Sequence, residues 1–266
     1  MSVNLTDDQA RAHAQALLAA RDTGVAIDPF TDAQPDLDMA DGYAIQTHLV
    51  RSLTDRGETI AGYKLGLTSR PMQELLGVDS PDFGPVFAST VYADGAELPV
   101  DAFIAPRMEA EIAVVLQSDL AGPDCTPLAA RQATAGLVAA LEIVDSRIKD
   151  WRIKLADTVA DLASNGAIAI SSSLVPVEDF DPRLVGMVFT KNGEMVATGA
   201  GAAAMGDPMA TVAWLANTLA PQGVVLPAGS IIMTGALHAM VPVAPGDVFR
   251  AEFDRLGPIT IRMASE

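Results

Sequence analysis

Residues 109–116 read EAEIAVVL, and no other stretch constrains the chain's architecture as much. In a strand, alternate side chains share a face, so Glu109, Glu111, Ala113 and Val115 point one way and Ala110, Ile112, Val114 and Leu116 the other. Both faces become apolar, which predicts an interior strand covered on both sides rather than an edge. The two acids at its head then project to one side, roughly 7 Å apart along the chain. Two like charges in that position repel and are poorly solvated, so they must be protonated, paired with basic residues or bound to a shared cation.

A third carboxylate has the same setting. Glu142 lies in LEIVDS, flanked by Leu141, Ile143 and Val144. A hard cation such as Mg²⁺ or Mn²⁺ would satisfy all three acids, because such ions take oxygen ligands and keep positions open for water or substrate. Zinc fits poorly: the histidines are His13, His48 and His238, and no Cys/His spacing resembles a zinc site. On spacing alone, pairing of Glu109 and Glu111 with Arg107 or other basic residues competes equally, since E-x-E is a weak motif. Lys64, in GYKLGLT, is a lysine in a glycine-bracketed apolar strand. It reads either as a snorkelling side chain or as a buried amine with a shifted pKa.

Composition narrows the partners. Lys+Arg 17 against Asp+Glu 34 gives a formal charge of −17, which repels nucleic acid and anionic membranes alike. A small anionic substrate then needs a local positive centre, whether lysine, arginine or a metal ion. With 50% hydrophobic residues in 266, the chain has ample core. The single cysteine, Cys125, excludes an intramolecular disulfide framework and fits a reducing, cytoplasmic setting. The first twenty residues carry acids where a secretory signal needs basic residues, and no apolar run is long enough to span a bilayer.

Along the chain, Thr6 with Gln9 predicts a capping box opening a helix to about residue 20, and a second helix is expected from Asp38 to about Asp55. TIAGYKLGLT reads as a strand, SRPMQELLGV as a short helix and SPDFGPV as a loop, with a soft boundary near residue 85. The expected division is therefore 1–85, an N-terminal helical subdomain, and 86–266, a β-rich metal-binding core. Strands are expected at VFASTVY, EAEIAVVL, ALEIVDS, GAIAIS, VGMVFT, EMVATGA, GSIIMTG, DVFRAEF and PITIRM, and helices at about 128–139 and 209–219. Asn192-Gly193 is a strong two-residue hairpin signal, because both positions tolerate positive φ. AGAAAMG reads as a close-packed turn.

Several of these motifs together resemble one family. GYKLGLTSRPMQELLGVDSPDFGPVF, PRMEAEIAVVL, LEIVDSRIKDWRIKLADTVADLASNG, KNGEMVATGAGAAAMGDPMATVAWLANTLA and PAGSIIMTGALHAMVPVAPGD occur in its order. The chain is similar, from about residue 38 onward, to the 2-oxopent-4-enoate hydratase and 4-oxalocrotonate decarboxylase family, within the wider fumarylacetoacetate hydrolase fold. That resemblance implies an α+β fold: a β-rich core of mixed sheets with an N-terminal helical subdomain. It places the divalent metal on Glu109, Glu111 and Glu142, the catalytic lysine at Lys64 and its acid partner at Asp82 in PDFG. Thr68, Ser164, Asn165 and Thr234 correspond to substrate-pocket positions, with Asn165 departing from the Cys or Ser of many hydratases.

The activity implied is addition of water to 2-hydroxypenta-2,4-dienoate to give 4-hydroxy-2-oxopentanoate, in the catabolism of aromatic rings. The metal would act as a Lewis acid on the substrate's carboxylate and 2-oxygen, with Lys64 and Asp82 as proton carriers. The rival is vinylogous decarboxylation of 4-oxalocrotonate, and PDFG tilts the balance to hydration because decarboxylase relatives often lack that aspartate. A carbon–carbon hydrolase of the acylpyruvate type would need a His-Glu pair, and no histidine falls between Lys64 and Glu111. An inactive partner subunit would be expected to have lost one of the five site residues. The resemblance also implies a homo-oligomer, pentameric or decameric, able to associate with a decarboxylase or aldolase. Arg147, Lys149, Asp150 and Trp151 match the family as well, but read as a solvated face or intersubunit contact. His238 reads as a loop histidine.

Overall fold

The computed structural model describes residues 3–70, 73–74, 78–178 and 180–265. Helices α1 (Asp7–Thr23) and α3 (Met39–Asp55) flank a short α2 (Phe30–Ala33). Thr6 Oγ1 accepts from the Gln9 amide and Gln9 Oε1 accepts from the Thr6 amide, so the expected capping box forms. Asp38 and Asp41 make a second one at the head of α3. Buried Leu17, Ile45, Leu49 and Leu53 of these helices pack with Phe87, Ile148 and Leu162 into a core of their own.

The chain then enters β1 (Ile60–Gly66), β2 (Asp82–Phe87), β3 (Val91–Ala93), β4 (Glu97–Leu98) and β5 (Arg107–Leu116). Next come α4 (Pro127–Ala133), β6 (Thr134–Val144), α5 (Leu155–Ala160) and β7 (Asn165–Ile170). The last part holds β8 (Gly186–Lys191), β9 (Glu194–Ala200), α6 (Pro208–Leu219), β10 (Ile231–Met233), β11 (Val241–Pro242), β12 (Val248–Phe253) and β13 (Gly257–Met263). One mixed sheet has the order β2-β1-β10-β5-β6-β7-β3, with β11 also paired to β5, and a smaller sheet has the order β4-β13-β12-β8-β9. The main core lies between them: Met108, Ala110, Ile112 and Val114 of β5 meet Phe249, Ala251, Ile259 and Ile261 of the small sheet. As its two apolar faces require, β5 is interior, between β10 and β6. Its other face carries Glu109 and Glu111 and then Ala113, which packs with Val86, Val138, Ile168 and Met233.

Several expectations need correction. SPDFGPV is no loop: residues 82–87 form β2, buried throughout. Pro85 is accommodated because β2 is the edge strand of the large sheet, where a missing N–H need not break a ladder. VFASTVY is broken by a 3₁₀ turn at Ala88–Thr90 into the end of β2 and the short β3. The helix expected over 128–139 stops at Ala133, and β6 starts at Thr134, six residues before the strand expected at ALEIVDS. Here tertiary burial overrides an alanine-rich composition, since nearly all of β6 is buried between β5 and β7. The helix expected at SRPMQELLGV falls largely outside the described residues. Asn192 and Gly193, at φ 54° and 83°, make the predicted hairpin between β8 and β9. β1 and β2 join the same sheet as β5, so this sheet runs across the soft boundary near residue 85. Gln46 of α3 reinforces that continuity by donating from Nε2 to Phe83 O (3.0 Å) on β2 and to Val159 O (2.8 Å) on α5.

Candidate metal centre

Strand register builds the centre. Glu109 lies directly opposite Glu142 across β5 and β6, and Glu111 is two residues further along the same face, opposite Ala140. Glu109, Glu111 and Glu142 each bring a carboxylate oxygen within 4.8 Å of the others. Lys64 of β1 projects to the same side, opposite Gly84 of β2 and Met233 of β10. Its Nζ donates to Ala163 O at 2.8 Å and lies 3.3 Å from Glu142 Oε1. Asp82 opens β2 opposite Gly66, and a Cβ at Gly66 would fall 2.2 Å from Asp82 Oδ1. Glycine at 66 therefore makes room for that carboxyl.

The electrostatics are those of a site waiting for positive charge. Burial pushes all three glutamates above the ordinary carboxylate range; Glu142 pushes Glu109 and Glu111 further, Glu109 to about 8, while Lys64 and the Glu111 side chain pull Glu142 back. Burial also raises Asp82, against the pull of Lys64. Burial alone would depress Lys64, but Glu142, Asp82, Glu109 and Glu111 outweigh it, and the ammonium form is favoured. Among the described residues, five buried side-chain N or O atoms have no hydrogen-bond partner, and four belong here: Asp82 Oδ1, Glu111 Oε1 and both Glu142 oxygens. Buried polar atoms are normally paired, so this concentration marks a place where a ligand completes the set. An all-oxygen cluster of three carboxylates suits a hard divalent cation; among the described residues Lys64 pairs with Glu142, while Glu109 and Glu111 have no basic partner of the kind that competed on sequence grounds.

The four expected pocket residues behave differently from one another. Thr68 is buried against Gly235, where a Cβ would lie 2.0 Å from Thr68 Oγ1, and Gly235 N–H donates to Glu111 Oε2 at 2.9 Å. Thr234 Oγ1 donates to Ile112 O (2.8 Å), and Asn165 Nδ2 to Pro85 O (3.3 Å). Ser164 Oγ is shared with Thr158 Oγ1 at 3.1 Å. These three side chains therefore bond to the scaffold around the centre. An open cavity of about 680 Å³ is lined among others by Ser69 and Pro81, the chain neighbours of Thr68 and Asp82, and by Met205 and Trp214; none of the centre's own side chains lines it. His238 is structural: it accepts the Ala110 N–H at Nε2 and is stacked on Phe189.

Sequence reasoning missed the contribution of main-chain groups. Leu162, Ala163 and Ser164 are consecutive non-glycine residues at φ 56°, 53° and 55°, a conformation costing roughly 1–2 kcal/mol per residue. That turn presents the Ala163 carbonyl to Lys64. Of the stretch expected to be a solvated face or intersubunit contact, Lys149 and Asp150 are exposed, but Arg147 is not. Arg147 is buried, with its N–H and Nε on Asp161 (2.8 and 2.6 Å) and Nη2 on Asp161 O (2.9 Å). No periodicity signals a left-handed run of alanine and leucine, so these features carry no mark in the sequence.

Comparison with known proteins agrees with this architecture. The fumarylacetoacetate (FAA) hydrolase C-terminal family profile matches residues 55–264. The chain is 42% identical over 261 residues to a 2-keto-4-pentenoate hydratase of Paraburkholderia xenovorans, covering 98% of this chain and 97% of that protein. It is 37% identical to a 4-oxalocrotonate decarboxylase of Pseudomonas putida, covering 98% and 99%. A solved structure of 4-oxalocrotonate decarboxylase from Pseudomonas putida G7, complexed with magnesium and adipate, superposes with a TM-score of 0.95 at 36% identity, covering 98% of this chain and 100% of that one. With sheets, N-terminal helices and sequence matching over nearly their whole length, the chain belongs to the fumarylacetoacetate hydrolase family.

Proposed function

We propose that this protein is a divalent-metal-dependent hydro-lyase that adds water to 2-hydroxypenta-2,4-dienoate and releases 4-hydroxy-2-oxopentanoate. The observation that carries this is the placement of Lys64, opposite Gly84, and of the buried Asp82, opposite Gly66, beside the Glu109–Glu111–Glu142 cluster, in which Glu111 and Glu142 keep oxygens without partners. Glu109, Glu111 and Glu142 would hold Mg²⁺ or Mn²⁺, which supplies Lewis-acid stabilisation of negative charge on the substrate's 2-oxygen. Lys64 and Asp82 carry the protons. One leaves the 2-hydroxyl while another arrives at C5, giving the 2-oxo-3-ene; water oxygen then joins C4 and a proton joins C3, so that one water is consumed. Thr68, packed against Gly235 beside Glu111, and Ser164, Asn165 and Thr234 shape the wall. The 42% identical hydratase supports the substrate class.

The same centre could serve vinylogous decarboxylation of 4-oxalocrotonate, a second reading favoured by the 0.95 TM-score match to a decarboxylase. Retention of Asp82 favours hydration. A cytoplasmic homo-oligomer is proposed on the family likeness, with 1–85 as helical subdomain and 86–266 as metal-binding core; no helix among the described residues is long and apolar enough to cross a membrane. Ultraviolet absorbance of freshly made 2-hydroxypenta-2,4-dienoate, followed with protein plus Mn²⁺ or plus EDTA, tests the proposal. Metal-dependent decay to a product one water heavier supports it. Loss of carbon dioxide from 4-oxalocrotonate without hydration of the dienoate would replace it with the decarboxylase.

A further inference from the structure

We infer that Arg147 is a positioning residue: it clasps the left-handed turn at 162–164 so that the Ala163 carbonyl fixes the direction of the Lys64 ammonium. This rests on the role proposed for Lys64 above. The turn is tied at both ends to one short segment. At its entry, Arg147 holds Asp161 through its own N–H, its Nε and, on the Asp161 carbonyl, its Nη2. At its exit, Asp145 N–H donates to Ser164 O at 2.9 Å. Within it, Ser164 N–H donates back to Asp161 O at 2.9 Å. On its outer side the turn is pressed against β2, where a Cβ at Gly84 would fall 2.1 Å from Leu162 O.

These contacts close a circuit. Asp145 and Arg147 follow directly from β6, whose Glu142 lies 3.3 Å from Lys64 Nζ, while Ala163 O receives one Nζ–H at 2.8 Å. Lys64 is thus held from two sides by one rigid unit, and its remaining N–H bonds are aimed by tetrahedral geometry. Three consecutive strained residues persist only where the surroundings over-determine them, and such strain is concentrated at functional sites. Arg147 provides that over-determination through a planar fork that a lysine cannot reproduce.

Arg147→Lys keeps the buried charge beside Asp161 but removes the fork. A misplacement of about 1 Å costs on the order of 10²-fold in rate, so kcat for the dienoate should fall by about that factor while KM stays within about threefold. Thr158→Val, which removes only the hydroxyl contact to Ser164, is the milder second variant and should lower kcat by several-fold. Binding of Mn²⁺, measured by calorimetry, should be unchanged in both. The chain has four lysines, so the ¹³Cε resonance of Lys64 can be followed in metal-free protein and should shift or broaden in both variants. A folded variant pair with wild-type kcat and an unmoved Lys64 resonance would overturn the inference. If wild-type protein does not hydrate the dienoate, the functional proposal fails instead, and the resonance alone decides the positioning.

Discussion

Metal binding should expel protons, and the centre sets how many. In the metal-free protein burial, with the neighbouring acids, pushes Glu109 up to about 8, and Glu111 and Glu142 are also raised, burial being the first cause in each. At pH 7, one unit below 8, Glu109 is roughly nine-tenths protonated. A cation binds the carboxylate, so at least about one proton must leave per ion at pH 7. The apparent affinity should therefore rise by at least about tenfold, or 1.4 kcal/mol, for each pH unit gained below 8, and more where Glu111 and Glu142 also release protons. The stability of metal-free protein has the opposite sign. A carboxyl whose folded pKa exceeds its ordinary 4.5 binds protons more tightly when folded, so stability is full below about 4.5 and is lost as pH rises toward about 8. Calorimetric titration of Mn²⁺ at pH 6, 7 and 8, in buffers of different ionisation enthalpy, measures the released protons directly. An affinity unchanged between pH 6 and 8, with no buffer dependence of the heat, would refute the assignment of these glutamates as ligands.

Three further outcomes are expected. Lys64→Ala should keep metal affinity but lose about 10²–10⁴-fold in turnover, the range of a proton carrier, as read by dienoate decay with Mn²⁺ present. Gly62→Ala places a Cβ 1.8 Å from Ile231 O, so the pairing of β1 with β10 must open; denaturant unfolding should show a loss of about 3 kcal/mol or more. His238→Ala leaves the Ala110 N–H without its acceptor and should cost about 1–3 kcal/mol. Because burial lowers the pKa of His238 below 6.5, wild-type stability has a component present above pH 6.5 that is lost as pH falls, and the variant should lack it in melts from pH 5 to 8.

What the sequence made legible were features enforced locally. EAEIAVVL announces an interior strand because both of its faces are apolar, and Thr6, Asp38 and Asn192-Gly193 announce their cap and turn roles through side chains or φ preferences close in sequence. The acids of the centre were legible as a problem, two charges in an apolar strand, before they were legible as a solution. What escaped was decided by distant partners. Thr134–Ala139 has a composition that tolerates helix and becomes strand because β5 claims one edge and the segment after β7, through Ser171 and Val175, bonds to the other. PDFGPV has the proline and glycine of a loop but serves as an edge strand, where Gly84 is required by Leu162, far along the chain. The buried Arg147–Asp161 pair looks in sequence like any charged turn, since its burial depends on where α5 and the segment after β6 meet.

The charge balance of the centre bears on which chemistry it performs. If every group were ionised, three glutamates and Asp82 would face only Lys64, an excess of negative charge that a buried site cannot sustain. A divalent cation on the glutamates, together with the Lys64 ammonium, offsets three of the four carboxylates. Neutrality is then reached only if Asp82 keeps its proton, and burial pushes it in that direction. The balance therefore favours the acid form of Asp82 alongside the Lys64 ammonium before any substrate arrives. Decarboxylation needs only the electron sink that the metal provides, whereas hydration needs groups that give protons to two different carbons. An Asp82 whose burial raises its pKa against the pull of Lys64 suits the second reaction, in which an acid must give up a proton to carbon.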